Sequence, residues 1–193
     1  MINKYLLICS LLILSLDSFG QAQNELIIYY GASSSEFLRN ESLIGTGSSE
    51  IKDQSEFGIK YLKHLNENIA LETGVNYHNS TISIKPAFTV ETREVRDENF
   101  ELISVPIMVN YTLWKYFFVN GGALIDFQIT QNSTNSQDGI GYAFGIGGQY
   151  DIQDLTIFIN PNFKKHSLIA FEKSNNHQKL TELGIQIGLG YKF

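Results

Sequence analysis

Hydrophobic residues recur at every second position of this chain, in one segment after another. From Leu183 onward, Leu183, Ile185, Ile187, Leu189, Tyr191 and Phe193 alternate with Gly184, Gln186, Gly188, Gly190 and Lys192. A period of two sends successive side chains to opposite faces of a strand, so one face here is apolar and the other small or polar. Between residues 139 and 152 the apolar row is Ile140, Tyr142, Phe144, Ile146, Tyr150 and Ile152, with Gly148 interrupting it. In the next strand Leu155, Ile157, Ile159 and Phe163 oppose Thr156, Asn160, Asn162 and Lys164, and Phe158 breaks the polar row. Similar rows mark strands at residues 103–111, 117–129, 57–61 and 69–77. Residues 25–31 are apolar on both faces and predict a first strand without assigning its sides. The total is eight strands, the even number that single-chain outer-membrane barrels use.

The connections fall into two kinds. Short turns are predicted at residues 66–68, 114–115 and 153–154, and they alternate with longer polar segments near residues 32–54, 79–99, 130–138 and 164–178. Short turns on one side and long loops on the other is the layout of a transmembrane barrel, with both chain ends on the periplasmic side. The expected fold is therefore all-β: an eight-stranded antiparallel up-and-down transmembrane barrel with short periplasmic turns and longer extracellular loops.

Alternation alone also fits a soluble barrel, so the composition of the two faces has to decide. A soluble barrel hides its aliphatic row and solvates the other with long charged side chains. Here the other face is rich in Gly, Ala, Ser and Asn, which suit the narrow interior of eight strands, while the aliphatic row suits lipid. Tyr142 and Tyr150 share a face eight residues apart, roughly 19 Å along the membrane normal at about 3.3 Å per residue and a 45° tilt. That matches two aromatic girdles: Trp114, Phe117, Tyr61, Tyr150, Tyr191 and Phe193 toward the periplasm, and Tyr77, Phe127, Tyr142 and Phe163 toward the exterior.

The N-terminus predicts export. Lys4 precedes an apolar run from Tyr5 to Leu16, and Ser18-Phe19-Gly20 supplies small residues for cleavage, so residues 1–20 read as a signal peptide and 21–193 as the barrel domain. The run is too short for a spanning helix. Cys9, the one cysteine, lies inside it, so the mature chain has neither disulfides nor thiolate metal sites. A formal charge of −6 argues against nucleic acid as a partner.

The ending Leu189-Gly190-Tyr191-Lys192-Phe193 resembles the C-terminal signal read by the outer-membrane barrel-assembly machinery, with Leu189, Tyr191 and Phe193 as its apolar positions. Residues 102–111, followed by Phe118-Val119-Asn120-Gly121-Gly122-Ala123, resemble the outer-membrane β-barrel domain family that includes PorT-like proteins. The resemblance covers most of the mature chain. It implies a bacterial outer-membrane location and contact with outer-membrane lipid and lipopolysaccharide. During biogenesis it implies the assembly machinery and periplasmic chaperones as partners.

The candidate chemistry is sparse. Glu56, Lys60, Glu72, Asp126, Glu182 and Lys192 fall on the lumen face, and pairing across the turn at Glu67 sets Lys60 diagonal to Glu72. They read either as an ion path or as an interior network that neutralises buried charge, and eight strands leave little room for the former. His78 and Ser80 project from one face, and Glu91 or Glu94 could orient the histidine. The His-x-Ser resembles that of the eight-stranded lipid A deacylases, though its surroundings and its strand differ; the simpler reading is two polar residues where a strand enters a loop. Lys164-Lys165-His166, followed by Leu168-Ile169-Ala170-Phe171, reads as an external surface for lipopolysaccharide phosphate or a protein partner, or as a strand extended beyond the membrane. No metal or cofactor is expected. The expected function is a non-enzymatic barrel that supports the envelope or binds an envelope protein through its external loops, with a secretion accessory role implied by the PorT-like resemblance. A narrow channel for small solutes and a lipid A-modifying hydrolase are the alternatives.

Overall fold

A computed structural model describes residues 24–38, 48–85, 96–130, 136–171 and 179–193. The predicted signal peptide, residues 1–20, lies outside the described residues. Eight strands follow in order: β1 Asn24–Leu38, β2 Ser48–His64, β3 Ile69–Lys85, β4 Arg96–Leu113, β5 Phe117–Gln128, β6 Gly139–Ile152, β7 Leu155–Ala170 and β8 Lys179–Lys192. Each pairs antiparallel with its sequence neighbours, and β8 returns to β1 to close the barrel. The seam is locked at the periplasmic end, where Asn24 and Phe193 exchange main-chain hydrogen bonds of 3.0 and 2.8 Å.

Register fixes the shape. Leu26 pairs with Tyr61, and stepping from partner to partner through Thr73, Ile107, Ala123, Tyr142, Lys165 and Thr181 leads back to β1 at Glu36, ten residues above the start. A shear of that size over eight strands tilts them by about 40° and leaves an interior that side chains fill. Among the described residues two prolines lie within strands, and each leaves a skip in the ladder on its amide side. The β3–β4 register passes from Thr73–Ile107 to Asn76–Ser104 around Pro106, and the β6–β7 register passes from Gly145–Asn162 to Gly148–Ile159 around Pro161. Without an N–H, proline cannot donate there.

The inside-out assignment is borne out. Leu26, Ile28, Phe57, Ile59, Val75, Ile107, Val109, Phe144, Ile146, Ile187 and Leu189 are all exposed on the outer surface, a contiguous apolar belt that water would not tolerate. Trp114, Phe117, Tyr150, Tyr191 and Phe193 are exposed at its periplasmic edge, as expected of a girdle. The periplasmic turns match the sequence reading. At the first, Asn66 Oδ1 accepts hydrogen bonds from the main-chain amides of Asn68 and Ile69; at the second, Trp114 and Lys115 have positive φ, the twist that tight turns between paired strands favour.

The long loops are shorter than expected, because β1 to β4 and β7 run well into the polar segments. Residues 32–38, 48–54, 79–85, 96–99 and 164–170 are strand. Beyond the hydrocarbon an outward face no longer needs to be apolar, so polarity there does not signal a loop. The inward row meanwhile continues with Ile82, Phe100 and Leu180, which form a fully buried cluster with Leu102 at the outer end of the lumen.

Glycine makes room for the large lumen side chains. A Cβ at Gly58 would lie closer to the Tyr29 ring, and one at Gly147 closer to the Phe118 ring, than van der Waals contact allows. Gly58→Val is expected to destabilise the barrel by about 1 to 3 kcal/mol through overpacking. The check is the urea midpoint of the heat-modifiable gel shift, and a midpoint equal to wild type would show that Tyr29 does not need that space.

Candidate functional site

Among the described residues, the buried polar chemistry is concentrated in the lumen, which is layered. At the periplasmic end Ile27, Tyr29, Leu62, Ala70, Phe118 and Phe158 form one buried apolar cluster. At the outer end Ile82, Phe100, Leu102 and Leu180 form another, with Phe37, Ile51 and Ile84 against it. Between them lies a continuous network of charges from five strands, β2, β3, β5, β7 and β8.

Lys60 of β2 stands 3.0 Å from Glu72 of β3, the diagonal pair expected from the turn. Its Nζ also donates to Gln186 Oε1 at 2.9 Å and lies 4.8 Å from the centre of the Tyr29 ring, so the ammonium is held by charge, hydrogen bond and π-face together. Gln186 turns its amide to Glu56 at 3.2 Å, and Tyr29 donates to the same carboxylate at 2.7 Å. Lys164 of β7 then bridges Glu56 and Glu182, the latter at 3.0 Å. Glu182 faces both histidines, His78 Nδ1 at 3.5 Å and His166 Nε2 at 3.4 Å. His166 Nδ1 lies 3.1 Å from Asp126, to which Ser104 donates at 2.6 Å. At the periplasmic side Asn110 and Asn120 donate to Glu72. Every charged side chain in this chain of contacts is buried.

Burying an ion is tolerable only when partners replace its water. Here four carboxylates face two lysines, and the two imidazoles share Glu182 with Lys164, His166 reaching Asp126 as well. The network leaves little space. One cavity of about 20 Å³ is bordered by Glu25, Lys60, Glu72 and Asn110, and another of about 10 Å³ by Asn76, Asn160 and Lys164; each has room for roughly one water molecule.

Of the residues singled out in the sequence, Glu56, Lys60, Glu72, Asp126 and Glu182 are brought together. Lys192 is not. It faces inward at the periplasmic mouth, where it pairs with Asp151 at 2.7 Å, separate from the central network. Lys164 and His166 are corrections to the external-surface reading, because both point into the lumen and are buried. The period-two row of β7, Thr156, Phe158, Asn160, Asn162, Lys164 and His166, carries them there. Immediately above, Ser167 at φ 48° accompanies a bulge against β6 that ends the row. Tyr29 and Gln186 were missed: β1 is apolar on both faces, and Gln186 has no charge to attract notice.

His78 and Ser80 share the inner face of β3, His78 beside Glu182 and against the Phe100 ring at 6.1 Å. They lie within the strand and are buried, which corrects the reading of a strand entering a loop. Glu91 and Glu94 lie outside the described residues. Leu189 and Tyr191 line the outer face of β8 and Phe193 follows its last residue, all three exposed.

Removing one partner of a buried pair leaves the other charge without compensation. Lys60→Met is expected to lower stability by about 3 to 5 kcal/mol, and Lys60→Met with Glu72→Gln to recover most of that loss. Urea titration in lipid vesicles measures both, and additive losses in the double variant would show that the two residues do not act as a pair.

The chain matches the outer membrane protein beta-barrel domain family over residues 8–193. No curated protein matches it. Among solved structures it is similar to the outer membrane protein AlkL in lipid bilayers, at 12% identity over 91% of this chain and 92% of that one, with a TM-score of 0.61. It is also similar to the outer membrane protein OprG of Pseudomonas aeruginosa, at 13% identity over 89% and 96%, with a TM-score of 0.54. At such identities the likeness is one of fold.

Proposed function

The chain belongs to the outer membrane protein β-barrel domain family and lies in the bacterial outer membrane, and on that premise we propose that it is a non-conducting, non-enzymatic barrel that anchors an external binding surface. The observation that carries this reading is the filled lumen. Two apolar clusters flank its ends, and the charges between them are paired with one another across the barrel. An ion would have to displace Lys60 or Lys164 from their carboxylates, and the spaces beside them hold about one water each.

The outer ends of the strands support the second half of the proposal. β2, β3 and β4 are 17, 17 and 18 residues long, whereas a strand tilted at about 45° crosses the hydrocarbon in roughly 9 to 11 residues. The excess forms a rigid wall that carries Glu50, Lys52, Arg96 and Asp97 toward the exterior. Charged groups on a stiff sheet suit recognition of an envelope protein, since little ordering entropy is lost on binding. The hydrolase alternative finds less support, because His78 and Ser80 are buried beneath the Phe100 and Leu180 cluster, away from any lipid surface.

Planar bilayer recordings test the first half. The purified barrel is expected to give no conductance steps, and steps whose size changes in Lys60→Met would move the function to a channel. Ser80→Ala is expected to leave the acyl pattern of lipid A unchanged in cells carrying the protein, as read by mass spectrometry. Loss of a deacylated species in that variant would establish the enzyme instead.

A further inference from the structure

The apolar belt does not reach the same height all round the barrel. Ten residues above the periplasmic start of each strand corresponds to roughly 25 Å at about 3.3 Å per residue and a 40° tilt, the usual height of such a belt. At that level β1 presents Ser34 and β3 presents Asn79, both exposed, and Ser55 of β2 lies one residue lower. At the same level β5 presents Phe127 and β6 presents Tyr142. Two residues higher the contrast sharpens: β1 shows Glu36 and β3 shows Thr81, while Ile129 above β5 and Ile140 of β6 are still apolar and exposed. On β7 Lys165 marks the level, and the apolar surface resumes above it with Ile169 and Phe171, whose ring lies 6.4 Å from Phe127. A lysine at such a position can reach past apolar neighbours to the headgroups.

A second observation, independent of side-chain polarity, points the same way. The β1–β2 ladder stops at Ala32–Ser55, eight residues above the start of β1, although β1 continues to pair with β8 as far as Leu38 and β2 with β3 as far as Ser48. Above that point the Gln54 side chain spans the gap, accepting hydrogen bonds from Ser33 at 3.2 Å and from Ser35. Main-chain groups outside a ladder are not tolerated against hydrocarbon, where each unsatisfied group costs several kcal/mol. Main chain left outside a ladder suits the headgroup region, which agrees with a hydrocarbon edge near Ala32 on this side.

We propose that the outer leaflet meets this barrel along a slope: acyl chains cover the outer rim of β5 and β6 up to Ile129 and Ile140, while headgroups and water descend to Ser34 and Asn79 on β1–β3. The partner is the lipid surface itself, held about 10 Å thinner against β1–β3 than against β5–β6, the rise of four residues at this tilt. The thinned side adjoins the tall polar wall, so whatever binds that wall would meet a locally lowered membrane surface. The inference rests on the outer-membrane placement, and the gel shift checks that placement separately.

Cysteine accessibility tests it. In a Cys9→Ser background, Ser34→Cys, Asn79→Cys, Phe127→Cys and Ile129→Cys are each refolded into phosphatidylcholine vesicles and confirmed as barrels by heat-modifiability. They are then exposed on both sides of the bilayer to a membrane-impermeant maleimide. Ser34→Cys and Asn79→Cys are expected to react about tenfold or more faster than Phe127→Cys and Ile129→Cys, because hydrocarbon excludes both the reagent and the thiolate. Rates within about twofold for all four, whether all fast or all slow, would mean a level boundary and overturn the proposal. If Phe127→Cys does not fold, Ile129→Cys carries the comparison.

Discussion

A chain that crosses hydrocarbon must pair every main-chain amide and carbonyl within itself, and most of the features of this structure follow from that demand. Helices meet it locally; strands meet it only by closing on themselves. Closure is why β8 returns to β1 and why the terminal Phe193 is tied to Asn24 by two main-chain bonds. The demand is relaxed in the β1–β2 ladder above Ala32, at the level where the outward residues turn polar.

Closing eight strands creates a narrow interior, and this protein fills it with ions. The lumen is a low-dielectric space in which an unpaired charge is expensive and a paired one is held firmly. The network meets that condition by joining strands far apart in sequence: Lys60 to Gln186, and Lys164 to Glu56. These contacts tie β2 to β7 and β8 across the barrel, where main-chain ladders reach only adjacent strands. Apolar clusters flank the ions toward both ends of the lumen, and low-dielectric surroundings strengthen their attraction. One arrangement thus ties distant strands together and occupies the interior.

Rigidity inside has a counterpart outside. Strands that outrun the hydrocarbon keep their ladder in water and hold charged side chains at fixed spacing on β2–β4, while β5 ends after 12 residues. The two sides of the barrel therefore differ in both wall height and belt height, and in opposite senses. The side that stands tall in water is the side on which the apolar surface stops early.

Much of this was written in local sequence, because strand alternation and turn chemistry are short-range. The belt from Leu26 to Phe193, the turns at Asn66 and Trp114, and the diagonal pair of Lys60 and Glu72 all follow from residues a few positions apart. Other features depended on contacts between distant strands. Tyr29 sits in a strand that is apolar on both faces, and only its place between β2 and β8, opposite Gly58 and Gly188, turns it inward. Lys164 and His166 look like a basic surface in isolation, yet the register of β7 against β8 sets Lys164 beside Glu182 and makes both residues part of the lumen. Lys192 shares the inward face but lies near the chain end, so the shear of the barrel puts it at the mouth with Asp151 instead of in the network. The alternation determined which residues face lipid. Closure, register and shear decided which buried charges meet, because those are properties of the whole ring and of no single strand.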